Sequence, residues 1–411
     1  MNQQPTTNNQ QLFGGAFQRK RVWLSGHTGF KGSWMTQWLL ELGAEVHGYA
    51  LEPDTRPALF EQLKLNRQIE HEINDIRHAE KVGKSICSFR PNFIFHLAAQ
   101  PLVRRSYAIP LETFEINVTG TVNVLEAVRK YVASGKAPRV LPVVVVTTDK
   151  VYENLENGRR YRETDRLGGR DPYSSSKAMA EQVVASYRQS FFQNGPVRLV
   201  SARAGNVIGG GDWAEDRIVP DAMRALARGN PILVRNQNSV RPWQHVLDPL
   251  SGYLTLGAAL VNPKVRVREP GFRTQNSGFK KIRNPQSRNP YSVLSGAYNF
   301  GPNRDANRTV RVLVEEILKN YSGKWKKLYT TRAPHEAWVL QLSNHLARKE
   351  LIWQPIWSFK KSVLLTIEWY LLYREHHSHV IGVTKRHIQK AVKIMLIKKN
   401  GNTRDSNKIK K

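Results

Sequence analysis

The sequence predicts an α/β fold, a doubly wound parallel sheet with a smaller C-terminal lobe. Three observations lead there. Short apolar runs recur through the first 205 residues, amphipathic patterns separate them, and a glycine-rich turn joins the first run to the first helix. Strands apolar at nearly every position are buried on both faces, which requires helices on both sides of a parallel sheet.

The first strand is expected over residues 21–26. A helix over 32–42 follows, with Trp34, Trp38, Leu39 and Leu42 at helical spacing. Further strands are expected at 45–51, 71–75, 92–98, 141–147 and 197–202, bounded by turn residues. Helices are expected at 79–89, 111–132 and 174–192. Beyond residue 205 the alternation is less regular, and that part is expected to cap the strand ends. The expected organisation is a flexible extension at 1–18, a dinucleotide-type domain at 19–205, and a tail at 385–411. Between them, 206–384 forms mainly the second lobe, with interleaved sheet elements and a basic loop at 263–290.

Of the 411 residues 40% are hydrophobic, which excludes a wholly disordered chain. One cysteine, Cys87, excludes an internal disulfide framework and any multi-cysteine zinc site. A lone thiol fits a reducing cytoplasm. The polar start, rich in Asn and Gln, lacks the apolar stretch of a signal peptide. No apolar run approaches the roughly 18–20 residues of a membrane span. The net charge of +30 and the pI near 10.3 raise nucleic acid or an anionic surface as partners. Yet close to half of that charge lies in 263–290 and 385–411, where no aromatic-plus-basic nucleic-acid module is found. No nucleic-acid partner is therefore expected. Residues 386–397 fit a basic helix with Ile388, Val392 and Leu396 on one face, and the chain after Lys399 is expected to fray.

Gly26, Gly29 and Gly32 form a GxxGxxG turn between strand and helix. Such a turn lets backbone N–H groups and a helix N-terminus meet a pyrophosphate. The second strand runs into Glu52, an acid suited to a ribose diol and hence to NAD. Arg56, just beyond, would instead suit a 2′-phosphate, and NAD is the preferred reading. Asp75 and Ile76 follow the third strand, where an adenine contact or a plain polar strand end are equal readings.

Tyr173 and Lys177 stand one helical turn apart. A free phenol titrates near about 10. A neighbouring ammonium is expected to lower that value and let the phenolate take a proton from an alcohol. Thr148, Asp149 and Lys150 lie together at the end of the fifth strand, where open parallel sheets bind ligands. Asp149 is placed as an acid and Lys150 as a base. Arg241 is expected to fork onto a diphosphate. Trp213, Trp243 and His245 read as packing residues. No residue is assigned to a metal, since no His, Asp or Glu cluster has ligand spacing.

Several longer segments carry a resemblance. They are Gly26-His-Thr-Gly-Phe-Lys-Gly-Ser33, Gly48-Tyr-Ala-Leu-Glu-Pro53, His96-Leu-Ala-Ala-Gln-Pro-Leu-Val103, Arg203-Ala-Gly-Asn-Val-Ile-Gly-Gly-Gly-Asp-Trp213 and Arg241-Pro-Trp-Gln-His-Val246. Together they resemble the extended short-chain dehydrogenase/reductase family, in particular its sugar-nucleotide 4,6-dehydratases. The resemblance runs from about Arg21 to about Tyr373. It implies a Rossmann domain, tightly held NAD and a likeness to members acting on CDP-glucose, which carry lysine rather than glutamate at position 150. The implied reaction yields CDP-4-keto-6-deoxyglucose and water, an early step toward deoxysugars such as those of O-antigens.

By the same resemblance His27, Phe30, Ala98, Ala99 and Asn117 join the glycines, Asp75, Ile76, Tyr173 and Lys177 around the cofactor. Gln100, Asn206 and Arg241 are assigned to the substrate. A homodimer built on the helices near 111–132 and 174–192 is also implied. Ser343 departs from the family pattern, which usually has aspartate there, and His345 and Leu346 depart as well. Two other readings stay open: a related sugar-nucleotide enzyme such as a 4-epimerase, and a non-catalytic NAD- or nucleic-acid-binding protein.

Overall fold

All eight residues of β5 (Leu141–Thr148) are buried, and the sheet extends to both sides of it. The computed structural model describes residues 12–262, 265, 294, 296–328 and 338–408. Seven strands pair in parallel: β1 (Arg21–Ser25), β2 (Glu45–Ala50), β3 (Glu70–Ile73), β4 (Phe93–His96), β5, β6 (Val197–Ala204) and β7 (Ala297–Phe300). Their order is β7-β6-β5-β4-β1-β2-β3. The chain winds outward one way through β2 and β3, then returns past β1 to β4. The crevice between β1 and β4 is thus a topological switch point, the usual ligand position in such sheets. β7 lies beyond the expected dinucleotide-type domain and completes the sheet beside β6.

The apolar strands serve both faces because successive side chains point to opposite sides. Val144 and Val146 join one core with Trp34, Trp38 and Phe95. Val143 and Val145 join the other with Trp23, Tyr49 and Ile94. Helices α1 (Phe30–Glu41), α2 (Ala79–Phe89), α3 (Gly120–Ala133) and α4 (Pro172–Ser190) stand near their expected positions. The single helix expected over 111–132 is instead interrupted. A short helix, Pro110–Phe114, leads into a wide turn at Glu115–Thr119 before α3 begins. Wide helical turns of this kind re-aim a side chain, and here the turn carries Asn117.

The remaining long helices are α5 (Ile218–Ala227), α6 (Leu247–Val261), α7 (Val310–Leu318), α8 (Phe359–Glu375) and α9 (Val380–Lys408). The motif at 209–213 is explained largely by packing. A side chain at Gly210 would overlap the Trp369 ring of α8, and Trp213 sits edge-on to Trp369 and Tyr370.

Both chain ends contribute more than expected. Residues 12–18, taken from the sequence as flexible, place Leu12, Phe13 and Phe17 in the core, with the Phe17 ring 4.8 Å from Phe93. In the basic tail, α9 buries Ile388, Ala391 and Val392. His387 stacks on Trp34 at 6.3 Å, and Glu41 and Glu368 pair with Lys385, Arg386 and Lys390. Helix α9 continues to Lys408 rather than fraying after Lys399. The basic loop expected at 263–290 lies outside the described residues apart from Val265, as do residues 1–11. Among the described residues, no helix is long and apolar enough to cross a membrane.

Candidate active site

A cleft of about 960 Å³ opens at the C-terminal ends of the strands and is walled on its far side by the second lobe. Its floor at the switch point is the glycine turn. Gly26 has φ +76°, and a Cβ there would lie 2.7 Å from the Ala98 backbone nitrogen. A Cβ on Gly32 would lie 2.0 Å from the Gly26 carbonyl oxygen. Both positions therefore exclude a side chain by contact alone. Gly29 caps α1 and is exposed. The opening N–H groups of a helix have no intrahelical acceptor, so this turn is shaped to receive an anion.

The other residues expected at this end divide into two groups. Phe30, Asp75, Ile76, Ala98, Ala99 and Glu52 line the cleft. The Asp75 carboxylate is held by Arg77 at 2.6 and 2.9 Å, and Arg77 keeps it below the usual carboxylate range. His27, by contrast, turns its imidazole away, under β2 and edge-on to Phe60 and His71. Burial holds that ring down to about 3, so it is neutral. Asn117 also lies outside the cleft. It brackets the Gln100 backbone, accepting from its N–H at 3.0 Å and donating to its carbonyl at 3.2 Å, and ties it to the Ser176 hydroxyl at 2.9 Å. Gln100, expected at the substrate, does line the cleft, while its amide donates to the Leu102 carbonyl and Thr113 and accepts from Leu102 N–H.

At the reaction end, Asp171 caps α4, accepting from Ser174 N–H at 2.9 Å, and Pro172 occupies the first helical position. Tyr173 therefore stands in the first turn, and Lys177 one turn deeper. Both are buried in the cleft wall. Opposite them β5 ends in Thr148, whose hydroxyl donates to Asp149 Oδ1 at 2.9 Å. Lys150 Nζ lies 3.4 Å from the same oxygen. Thr148 and Lys150 line the cleft, and Asp149 lies fully buried behind them. Its Oδ2 is buried without a hydrogen-bond partner, facing Gly205.

The electrostatics differ from expectation. Lys177 Nζ donates to the Val146 carbonyl at 3.3 Å. Burial lowers its pKa to about 8, opposed by Glu181. Tyr173 is not lowered but pushed up to about 12, chiefly by burial and also by the Asp149 carboxylate, against the pull of Thr148 and Arg217. Desolvation disfavours the charged form of each group, and it outweighs the attraction expected between them.

Two cations were missed from the sequence. Lys31, within the glycine turn, was given no role, yet it lines the cleft. Burial and Arg217 lower its pKa to about 8, with Asp149 opposing. Arg217 lines the same wall and pairs with Asp212 at 2.9 Å. The only sequence signal for it was a polar run closely following the 203–213 motif. In the second lobe Arg241 and Asn206 both line the cleft. Asn206 Oδ1 is buried without a partner. At the mouth, Arg104 and Arg235 share one carboxylate, Asp216, at 2.8 and 2.7 Å, leaving net positive charge there. Trp243 is packed, donating to the Arg308 carbonyl. Among the described residues no group of His, Cys, Asp and Glu could hold a metal ion.

Residues 24–260 match the family described as GDP-mannose 4,6 dehydratase. The chain is also 43% identical over 362 residues to the CDP-glucose 4,6-dehydratase of Salmonella typhimurium, covering 86% of this chain and 91% of that one. The chain belongs to the GDP-mannose 4,6-dehydratase family. Solved structures agree on the fold of this family. The dTDP-glucose 4,6-dehydratase of Bacillus anthracis, in complex with NAD, superposes with a TM-score of 0.66 at 21% identity, covering 87% of this chain and 98% of that one. The UDP-glucose 4-epimerase of Thermus thermophilus, also with NAD, gives 0.67 at 24% identity, covering 85% and 99%. Dehydratases and an epimerase share this fold. The chemistry of a family member must therefore be argued from its site.

Proposed function

We propose that the protein is an NAD-dependent CDP-glucose 4,6-dehydratase, converting CDP-glucose to CDP-4-keto-6-deoxyglucose and water. The observation that carries this reading is Lys150 at the end of β5, lining the cleft with Tyr173 and backed by the buried Asp149 carboxyl 3.4 Å from its Nζ. An acid and a base beside the oxidation site are what water loss requires and what simple epimerisation does not. The 43% identity to a CDP-glucose enzyme supports the choice of nucleotide.

The glycine turn and the N-terminus of α1 would hold the cofactor pyrophosphate, and the fit rests on the side-chain-free surface at Gly26, Gly29 and Gly32. NAD, when bound, supplies a hydride acceptor for C4, a donor for C6, and a positively charged ring that favours an ionised phenol. Tyr173 Oη, aided by the Thr148 hydroxyl, takes the proton of the C4 hydroxyl. The resulting ketone acidifies C5, and Lys150 Nζ in its amine form removes that proton. The C6–O bond breaks as Asp149, in its protonated form, gives its proton to the departing hydroxyl, completing water. Lys150 then returns its proton to C5. Arg241, Asn206 and Arg217 orient the substrate diphosphate and sugar, as guanidinium forks suit phosphate oxygens.

A homodimer and a cytoplasmic location belong to the same proposal. Leu111, Met179 and Phe191 are large, apolar and exposed, and they lie on or beside the helices that would pair. The deciding experiment is incubation with CDP-glucose, GDP-mannose and dTDP-glucose, with product mass as readout. Loss of one water from CDP-glucose is expected, and no product from CDP-glucose would overturn the proposal.

A further inference from the structure

Outside the cleft, a second pocket of about 580 Å³ is lined by Arg160, Arg162, Arg304, Asn307, Ser343 and Gly158. It lies where the short strand Arg160–Tyr161 pairs with Gln341–Leu342. No carboxylate lines it among the described residues. Arg160 is half-buried, donating to the Leu342 and Pro302 carbonyls at 3.0 and 3.4 Å. Burial, Arg304 and Arg348 all press on it in the same direction, toward losing its charge.

Two acids that follow these strand residues in sequence are committed elsewhere. Asp165 takes the Arg159 guanidinium at 2.5 Å and the Arg162 backbone N–H at 2.7 Å. Glu163 accepts from the Asn299 backbone at 2.8 Å. Arg348 is satisfied by the neutral amides of Asn344 and Asn303. The half-buried Arg160 and the exposed Arg162 and Arg304 thus line one pocket with no carboxylate in its lining among the described residues, a local excess of positive charge that attracts an anion. Ser343 lines the pocket with a neutral hydroxyl, which adds no negative charge to it.

We propose that this pocket is a binding site for a phosphate group, carried either by free phosphate or by a nucleotide. Arg160, Arg162 and Arg304 supply planar forks, and the Ser343 hydroxyl supplies a further donor. The site is separate from the cleft and makes no use of the catalytic residues.

The test is thermal unfolding with added phosphate against chloride at constant ionic strength. It compares the unaltered protein with Ser343→Asp and with the double variant Arg162→Ser/Arg304→Ser. Ser343→Asp places a carboxylate in the pocket and covers the case in which removing arginines disturbs the fold. Near saturation, phosphate should raise the unfolding temperature of the unaltered protein by about 2 °C. Both variants should lose most of that rise, and Ser343→Asp should be no less stable than the unaltered protein without phosphate. A second arm uses CTP. Half-saturation at a tenfold lower concentration than phosphate, lost in the same variants, assigns the site to a nucleotide, and equal or weaker binding assigns it to free phosphate. An equal response in all three proteins would place phosphate elsewhere and overturn the proposal.

Discussion

Lys150→Met isolates the step that separates dehydration from epimerisation. Methionine keeps much of the side chain's length and apolar stem but can neither accept nor donate a proton. A positioned general base contributes about 10²–10⁴ in rate, so the barrier to C5 deprotonation should rise by about 3–5 kcal/mol. The substitution also removes the cation 3.4 Å from Asp149 Oδ1. That carboxylate is fully buried, while the Lys150 side chain is 24% exposed. The cost lies between that of a surface pair and a buried one, about 2 kcal/mol. The glycine turn is untouched, so NAD binding should persist. Mixing the variant with CDP-glucose should give the near-ultraviolet absorbance of reduced nicotinamide without a product lighter by one water. Dehydration at an undiminished rate would refute the assignment of Lys150 as the base.

Three further outcomes follow from the geometry. Glu181→Gln strips the buried Arg203 of its partner at 2.8 Å and weakens the bonds from Thr147 and Ser201, so denaturant unfolding should register a loss of about 3–5 kcal/mol. Gly210→Ala drives a methyl group into the Trp369 ring and should cost about 1–3 kcal/mol in the same measurement. Lys31 has its pKa lowered from 10.5 to about 8, so between those values the unfolded chain holds more protons and stability rises with pH. Lys31→Met should therefore unfold at a higher temperature than the unaltered protein at pH 7. That advantage should shrink from pH 8 toward 10.5, and a constant gap would refute the shift.

The alternation of apolar strands and amphipathic helices made the sheet legible, because burial on both faces leaves an uninterrupted apolar signature. The glycine turn and the Tyr173/Lys177 spacing were legible for a similar reason, since each is set by local geometry. Asn117 and Gln100 were harder. Their residue types suited a ligand, but their amides are used to hold each other's segments in place. His27 sits within the motif, yet adjacent residues of a tight turn face different ways, and its ring is committed to the core.

The sequence by itself determined six of the seven strands, the phosphate-shaped turn and the chemical inventory of the reaction end, all of which depend on residues near one another in the chain. Only the tertiary structure decided their electrostatic state. Tyr173 is shifted by burial against the expected direction and Lys177 is lowered by the same cause, and burial is set by segments far apart in sequence. The same holds for part of the net charge of +30. In α9, part of the basic tail proved to be a docked helix with Ile388 and Val392 in the core, because α1 and α8 supply the apolar surface and the acids it needs. Arg160 and Arg162 came to share a pocket with the sequence-distant Arg304 only when folding brought two short strands together beside Ser343.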